Sequence, residues 1–240
     1  MKNWIYNPKL IGSGIIECIP QQGKCPNNCS DCFFQSGRSY LEPLKENLPH
    51  IPTKEMTKNR IVRMNDGNDS NHQREIVENT AKKFEHYFYN TAIPKNLDKF
   101  EAPFVITINP AKMTDNSFYR VEAYKNLMFV RIRTNIWNLK KVVVPAIKYY
   151  SNLKVKIVLT YMAYYNNDIP LFHKHNYIWK KRTINSYWCL KPKKVIAIER
   201  KFQNNVYVYS CTYKNNYSCS FCGNCIREYY NSLERLRKEK

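Results

Sequence analysis

The chain has 240 residues, with 39 Lys and Arg, 19 Asp and Glu and nine Cys, which gives a formal net charge of +20. This length suits one domain, or one domain with a small appendage. No run approaches the roughly 18 apolar residues of a membrane span, and the first residues lack the apolar core of a secretory signal. We therefore predict a soluble cytoplasmic protein without a membrane partner, in which the cysteines stay reduced.

Short apolar runs that read as strands alternate with helical segments. Strands are predicted at 13–19, 60–64, 103–108, 127–133, 155–161, 195–199 and 206–210, the last two as a hairpin. A capping-box pattern of Ser70 and Gln73 predicts a helix whose apolar positions continue to Phe88. Further helices are predicted at 138–150, kinked at Pro145, and at 226–240.

This alternation predicts an α/β fold with a parallel sheet and right-handed crossovers. Five or six strand–helix units fit into about 200 residues, which is short of the eight units of a closed barrel. An open or partial barrel is therefore the predicted architecture.

The first cysteine group is Cys25, Cys29 and Cys32, spaced C-x3-C-x2-C in the run GKCPNNCSDCFF. Three thiolates this close can bind three irons of a cubic [4Fe–4S] cluster. The fourth iron is then open to a small-molecule ligand, as a catalytic cluster requires. The group follows directly after the first predicted strand.

This motif, on the loop after a first strand, resembles the radical S-adenosylmethionine (SAM) superfamily. The chain length and the strand–helix alternation are similar to that family's partial (β/α)6 barrel, which we assign to residues 1–200. The resemblance implies that Cys25, Cys29 and Cys32 are catalytic and hold a [4Fe–4S] cluster. An external electron donor such as a flavodoxin or ferredoxin would reduce it. SAM would then be cleaved to a 5′-deoxyadenosyl radical that abstracts hydrogen from a substrate.

The resemblance also implies SAM-binding residues. The family has a Gly- and Glu-rich segment after the second strand, where this chain has Asp66, Gly67 and Asn68 instead of the usual Gly-Gly-Glu. A glycine turn exposes carbonyl groups, and the neighbouring Asp and Asn oxygens can accept hydrogen bonds from the SAM ammonium. The alternative is an ordinary Asp-Gly turn before a helix.

Two more SAM contacts are implied. Arg133 and Asn135 end the fourth predicted strand, where the family places polar groups against the SAM carboxylate and ribose. Phe33, after the third cysteine, is assigned to the adenine. For the arginine, a charged strand end that faces solvent is the alternative.

The second cysteine group is Cys211, Cys219, Cys222 and Cys225. Its C-x2-C-x2-C spacing resembles part of a ferredoxin cluster run, which predicts a second [4Fe–4S] cluster. A structural four-cysteine zinc site is the alternative. We assign residues 201–240 to a small C-terminal metal-binding module with a terminal helix. Cys18 and Cys189 are interpreted as core residues.

Positive charge is concentrated in residues 119–202, which contain 18 Lys and Arg but three acidic residues. Such a field attracts phosphate-bearing ligands, so nucleic acid is a predicted partner and RNA or a nucleotide a predicted substrate. A merely solvated basic face is the alternative. The functional alternative is a non-enzymatic basic nucleic-acid-binding protein with two zinc knuckles.

Overall fold

The structure is a computed structural model. It describes residues 4–27, 29, 32, 34, 41, 49–109, 118–165, 169–181, 186–211 and 218–238. Phe33, assigned above to the adenine, lies outside the described residues.

Seven strands form one sheet in which neighbours follow chain order and every pair is parallel. They are β1 (Ile15–Cys18), β2 (Ile61–Met64), β3 (Tyr87–Thr91), β4 (Phe104–Ile108), β5 (Leu127–Thr134), β6 (Ile157–Tyr161) and β9 (Val208–Ser210). Two further strands, β7 (Tyr177–Lys180) and β8 (Tyr187–Leu190), form a separate antiparallel ribbon. The predicted α/β class and parallel sheet are confirmed. The described sheet is open, with β1 and β9 at its two edges.

Six α-helices lie in the described part of the chain: α1 (Lys54–Thr57), α2 (Arg74–Ala81), α3 (Val144–Asn152), α4 (Pro192–Arg200), α5 (Cys219–Cys222) and α6 (Asn224–Arg237). Apolar residues of α2, α3 and α4 share one core with the same face of the sheet, including Val62, Ile106 and Val130. Helix α6 packs on the opposite face, where Cys225 and Tyr229 join a second core. We call this the α6 face of the sheet.

Successive residues of a strand point to opposite faces, so each strand contributes alternate residues to the α6 face. The amino-terminal halves contribute apolar residues: Ile15, Ile61, Phe88, Val105, Phe129 and Val158. The carboxyl-terminal halves contribute polar ones: Glu17, Arg63, Asn90, Thr107, Arg131 and Thr160. The α6 face is therefore a packed core at one end and a polar surface at the carboxyl end, where the loops that follow the strands gather.

The helix predicted to start at Ser70 is shorter than expected, and its capping box is wrong. The Ser70 hydroxyl donates to Asn65 Oδ1 (2.9 Å) and accepts from the Asn90 backbone N–H (3.1 Å) instead of capping α2. Phe88, counted as helical, lies in β3, which the sequence analysis missed. The segment of β3 is aromatic and favours a strand, but Phe84 and Phe88 are four residues apart, which is also the spacing of a helix face.

The predicted strand at 195–199 is also wrong, because these residues lie in α4. Pro192 begins that helix, a position where its missing N–H costs no hydrogen bond. The predicted hairpin is therefore absent, and β9 pairs in parallel with β6. Pro145 lies in the first turn of α3, directly after a π-helical segment at 139–143, so the predicted helix changes type next to this proline.

Candidate metal centres at the carboxyl edge of the sheet

The first cysteine group lies on the loop that follows β1. The Cys32 backbone N–H donates to the Cys29 carbonyl (3.3 Å), which closes a tight turn. The pKa of the Cys25 thiol is raised to about 12, mainly by burial and in smaller part by the negative charges of Asp69, Cys29 and Cys32. Tyr119, which precedes β5, also has a raised pKa, first from burial and then from Cys29. The three thiols are therefore close enough to repel one another as thiolates.

The turn after β2 is held against this cysteine loop. A Cβ on Gly67 would overlap the Phe34 ring, with its Cγ at 2.6 Å, so only glycine allows this approach. The Asn68 side chain donates to the Gly23 carbonyl (3.2 Å). The turn of the predicted SAM segment and the cysteine loop thus form one structural unit.

A buried amide network that sequence reasoning missed joins the same two loops. Gln21 Nε2 donates to the carbonyls of Asp69 and His72 (2.8 Å each), and Asn65 Nδ2 donates to Gln21 Oε1 (2.6 Å). Asn65 has a left-handed backbone (φ 60°), which asparagine tolerates better than most residues. An Asn directly after a buried strand was the available signal.

The two aspartates of the turn have different environments. Asp69 is buried and accepts from the backbone N–H groups of Ala92 (2.6 Å) and Asn71 (2.8 Å) and from the Thr91 hydroxyl (2.7 Å). Burial nevertheless raises the pKa of its carboxyl. Asp66 forms an ion pair with Arg63 and accepts from the Asn7 side chain. The charge of Asp66 is thus balanced within the protein.

The residues predicted at the end of β5 lie three strands along the sheet from that turn, with β3 and β4 between them. The buried Asn135 side chain accepts from the Asn138 backbone N–H (2.7 Å) and donates to the Tyr164 hydroxyl (2.8 Å). Arg133 lies on the α6 face with Arg131, whose guanidinium donates to Asn90 Oδ1 (3.2 Å). Their SAM-binding roles, like those of the turn after β2, stay predictions.

The second cysteine group joins β9 to the two C-terminal helices. Cys211 follows β9 and donates its backbone N–H to Leu159 (2.9 Å). The pKa of Cys222 is lowered to about 6, mainly by a hydrogen bond with the Cys211 thiol and in smaller part by the charges of Arg227 and Arg131. The same bond raises the pKa of Cys211, where the charges of Cys222 and Cys225 add to the effect. Burial raises the pKa of Cys219, and the nearby negative charges of Cys225 and Cys222 add to the rise.

All four thiols of the second group therefore interact, and they do so beside cationic side chains. The positive charge of Arg63 favours the thiolate of Cys219, and that of Arg131 favours the thiolates of Cys211 and Cys222. These guanidinium groups lower thiol pKa values and so favour the thiolate forms that metals bind. The surroundings suit either a [4Fe–4S] cluster or a zinc ion, since both are cationic centres held by four thiolates.

Over the ranges that the structure describes, no three or more His, Cys, Asp or Glu side chains are arranged as a metal site. The metal assignments of both groups accordingly stay predictions. The donor chemistry fits them, because crowded thiolates repel one another and a bound cation relieves that repulsion.

Glu17 is a polar residue of this region that sequence reasoning did not single out. It is fully buried on the α6 face, beside Arg63 in the register of β1 and β2. Its Oε1 accepts from the Asn7 backbone N–H (2.6 Å), while Oε2 has no hydrogen-bond partner among the described residues. A glutamate inside the apolar run IIECI was the signal that could have identified it.

Comparison with protein-family models, curated proteins and solved structures finds no match to this chain. In the described part of the chain, no helix has the length and apolar character needed to cross a membrane.

Proposed function

We propose that this protein is a radical SAM-like iron–sulfur enzyme in which Cys25, Cys29 and Cys32 hold a [4Fe–4S] cluster. One observation carries the proposal. Cys25, Cys29 and Cys32 share the loop after the first strand of a chain-ordered parallel sheet, against the turn after the second strand, and the charges of Cys29 and Cys32 raise the pKa of Cys25. Such an edge is where ligands bind in open α/β sheets.

The cluster, when bound, would supply the electron for reductive cleavage of SAM at its open iron. The chain's own residues position the reactants and exclude water. Phe34 is buried and covers the turn at Gly67, and the three cysteines beside this turn are half-buried. Arg131 and Arg133 present guanidinium groups on the α6 face, where a SAM carboxylate could accept two hydrogen bonds.

The second cysteine group would hold another [4Fe–4S] cluster or a zinc ion. Its four thiols are linked to β9, α5 and α6, so the protein would supply all four ligands. A site with four protein ligands leaves no position for a substrate, which suits a structural or electron-transfer role rather than catalysis.

The test is anaerobic expression followed by measurement of iron, sulfide and zinc. We expect a brown protein that converts SAM to 5′-deoxyadenosine when dithionite is added. Cys29→Ala should abolish this conversion, whereas Cys189→Ala, the same substitution outside both groups, should retain it. Continued cleavage in the Cys29→Ala protein would contradict the cluster assignment. A colourless protein with two zinc ions per chain would support the non-enzymatic alternative.

A further inference from the structure

The β7–β8 ribbon and the 3-10 helix before it (Leu171–Asn176) combine exposed apolar side chains with positive charge. Leu171 and Phe172 are 86% and 82% exposed, and Trp179 is 45% exposed. Lys180 and Lys181 follow Trp179 in the chain, at the far end of the ribbon, and are exposed. The sequence has no acidic residue from 169 to 198, so no carboxylate of this segment offsets its cations.

The aromatic rings and the cations of the ribbon are adjacent. Trp179 and Trp188 pair across the two strands, with ring centroids 5.3 Å apart. Lys174 Nζ lies 5.2 Å from the centroid of the Trp188 ring. We call Phe172, Lys174, Trp179, Lys180, Lys181 and Trp188 the ribbon surface.

The base of the ribbon is anchored while its far end is exposed. Tyr177 and Leu190, which pair at the base, are buried, and exposure increases toward Lys180. Trp188 also forms two backbone hydrogen bonds with Tyr164 (3.0 and 2.7 Å), just beyond the carboxyl end of β6. The ribbon is thus fixed to the same edge of the sheet as both cysteine groups.

Exposed aromatic rings in a segment that carries lysines and no carboxylate suit single-stranded nucleic acid. Unpaired bases stack on aromatic side chains, and lysines bind the phosphates between them. A duplex would engage only the lysines, because its bases are already stacked on one another. Clustered lysines would also oppose burial in an apolar protein interface, whose core is depleted of lysine.

We propose that the ribbon surface binds single-stranded nucleic acid and holds it at the carboxyl edge of the sheet. That the bound nucleic acid is the substrate rests on the proposed function. That the ribbon surface binds nucleic acid does not depend on it. Binding is therefore measured without SAM or reductant, so that failure of binding and failure of SAM cleavage are seen in separate assays.

The experiment uses fluorescence anisotropy with the anaerobically purified full chain and a fluorescein-labelled 20-nucleotide RNA of mixed sequence. DNA of the same sequence and the RNA duplex are the other two arms. We expect both single strands to bind more tightly than the duplex. A preference for RNA over DNA would identify contacts to the 2′-hydroxyl. Equal or tighter binding of the duplex would overturn the proposal.

Two kinds of variant separate stacking from charge. Phe172→Ala and Trp179→Ala should each weaken single-strand binding about 5- to 100-fold, because each removes a stacking platform. The control Tyr230→Ala removes an exposed aromatic ring from α6 and should leave the affinity unchanged. Full affinity in both ribbon variants would overturn the proposal, provided that circular dichroism shows the wild-type fold.

Lys180→Gln combined with Lys181→Gln should weaken binding and flatten its dependence on salt concentration. If each lysine binds one phosphate, the slope of log K against log [salt] should become less negative by about 1.4. Lys82→Gln with Lys83→Gln removes an equally exposed adjacent pair near α2 and is the matched control. An equal change of slope in both double variants would indicate a diffuse charge effect and contradict the ribbon assignment.

Discussion

The two cysteine groups lie near the same edge of one sheet but are supported differently. The first lies on a loop held by side-chain amides and by the contact of Phe34 with Gly67. The second is attached to a strand and two helices and is surrounded by arginines. Correspondingly, the pKa of Cys25 is raised to about 12 and that of Cys222 is lowered to about 6. The first group is therefore supported by loop contacts that keep Cys25 a neutral thiol, whereas the second is built on regular elements that favour the thiolate of Cys222.

Thiol reactivity in the metal-free protein gives the largest expected difference between the groups. At pH 7.5 Cys222 is mostly thiolate and Cys25 almost entirely thiol, because their pKa values lie on opposite sides of that pH. We expect iodoacetamide to modify Cys222 on the order of 50-fold faster, after allowing for the weaker nucleophilicity of a low-pKa thiolate. Peptide mass spectrometry over a time course measures both rates. Similar alkylation rates for Cys222 and Cys25 would contradict the difference in thiol pKa between the two groups.

Tyr229→Ala should weaken the support of the second group. Tyr229 is 3% exposed on α6 and packs against Phe88 of the sheet, so its truncation leaves a cavity. We expect a loss of about 3–5 kcal/mol in the free energy of unfolding, measured by urea titration. Tyr230→Ala, on the exposed side of α6, should change that free energy by less than about 0.5 kcal/mol. If this variant releases metal from both cysteine groups at the same urea concentration, the packing of α6 does not stabilise the second group separately from the first.

Gly67→Ala should disturb the first group and leave the second intact. The added methyl group overlaps the Phe34 ring, and such overpacking costs about 1–3 kcal/mol of stability. The iron content attributable to the first group should fall, as measured against the Cys29→Ala protein. Adding Phe34→Leu makes room for the methyl group and should restore part of the loss. If the double variant is no better than Gly67→Ala, steric overlap is not the cause.

Among these effects on the cysteine thiols, that of Arg131→Gln should be the smallest, and it should fall on the second group. Arg131 favours the thiolate of Cys222, so its removal should raise that pKa by less than about one unit. The shift is small because the hydrogen bond from Cys211, which is the larger cause, remains. Alkylation of Cys222 as a function of pH measures it. A lower pKa in the variant would contradict the assigned role of the guanidinium.

Strong local patterns were interpreted correctly from sequence. The apolar runs at 15–18, 61–64 and 157–161 are strands, and the amphipathic C-terminal segment is a helix. Errors arose where one pattern suited two structures. Val195–Glu199 has a β-like composition, yet Pro192 and packing against the sheet make it helical. The strand β3 was missed because a helical spacing extended across its boundary.

The sequence by itself determined the α/β class, the cysteine spacing and the concentration of charge, because these depend on local composition and periodicity. Only the tertiary structure decided that α6 covers one face of the sheet and brings the second cysteine group beside Arg63 and Arg131. Tertiary structure also decided that Gln21 and Asn65 join two loops 44 residues apart, and that the ribbon is fixed beside β6. These contacts depend on parallel strand order and on buried polar groups finding partners, and neither leaves a periodic signal in the chain.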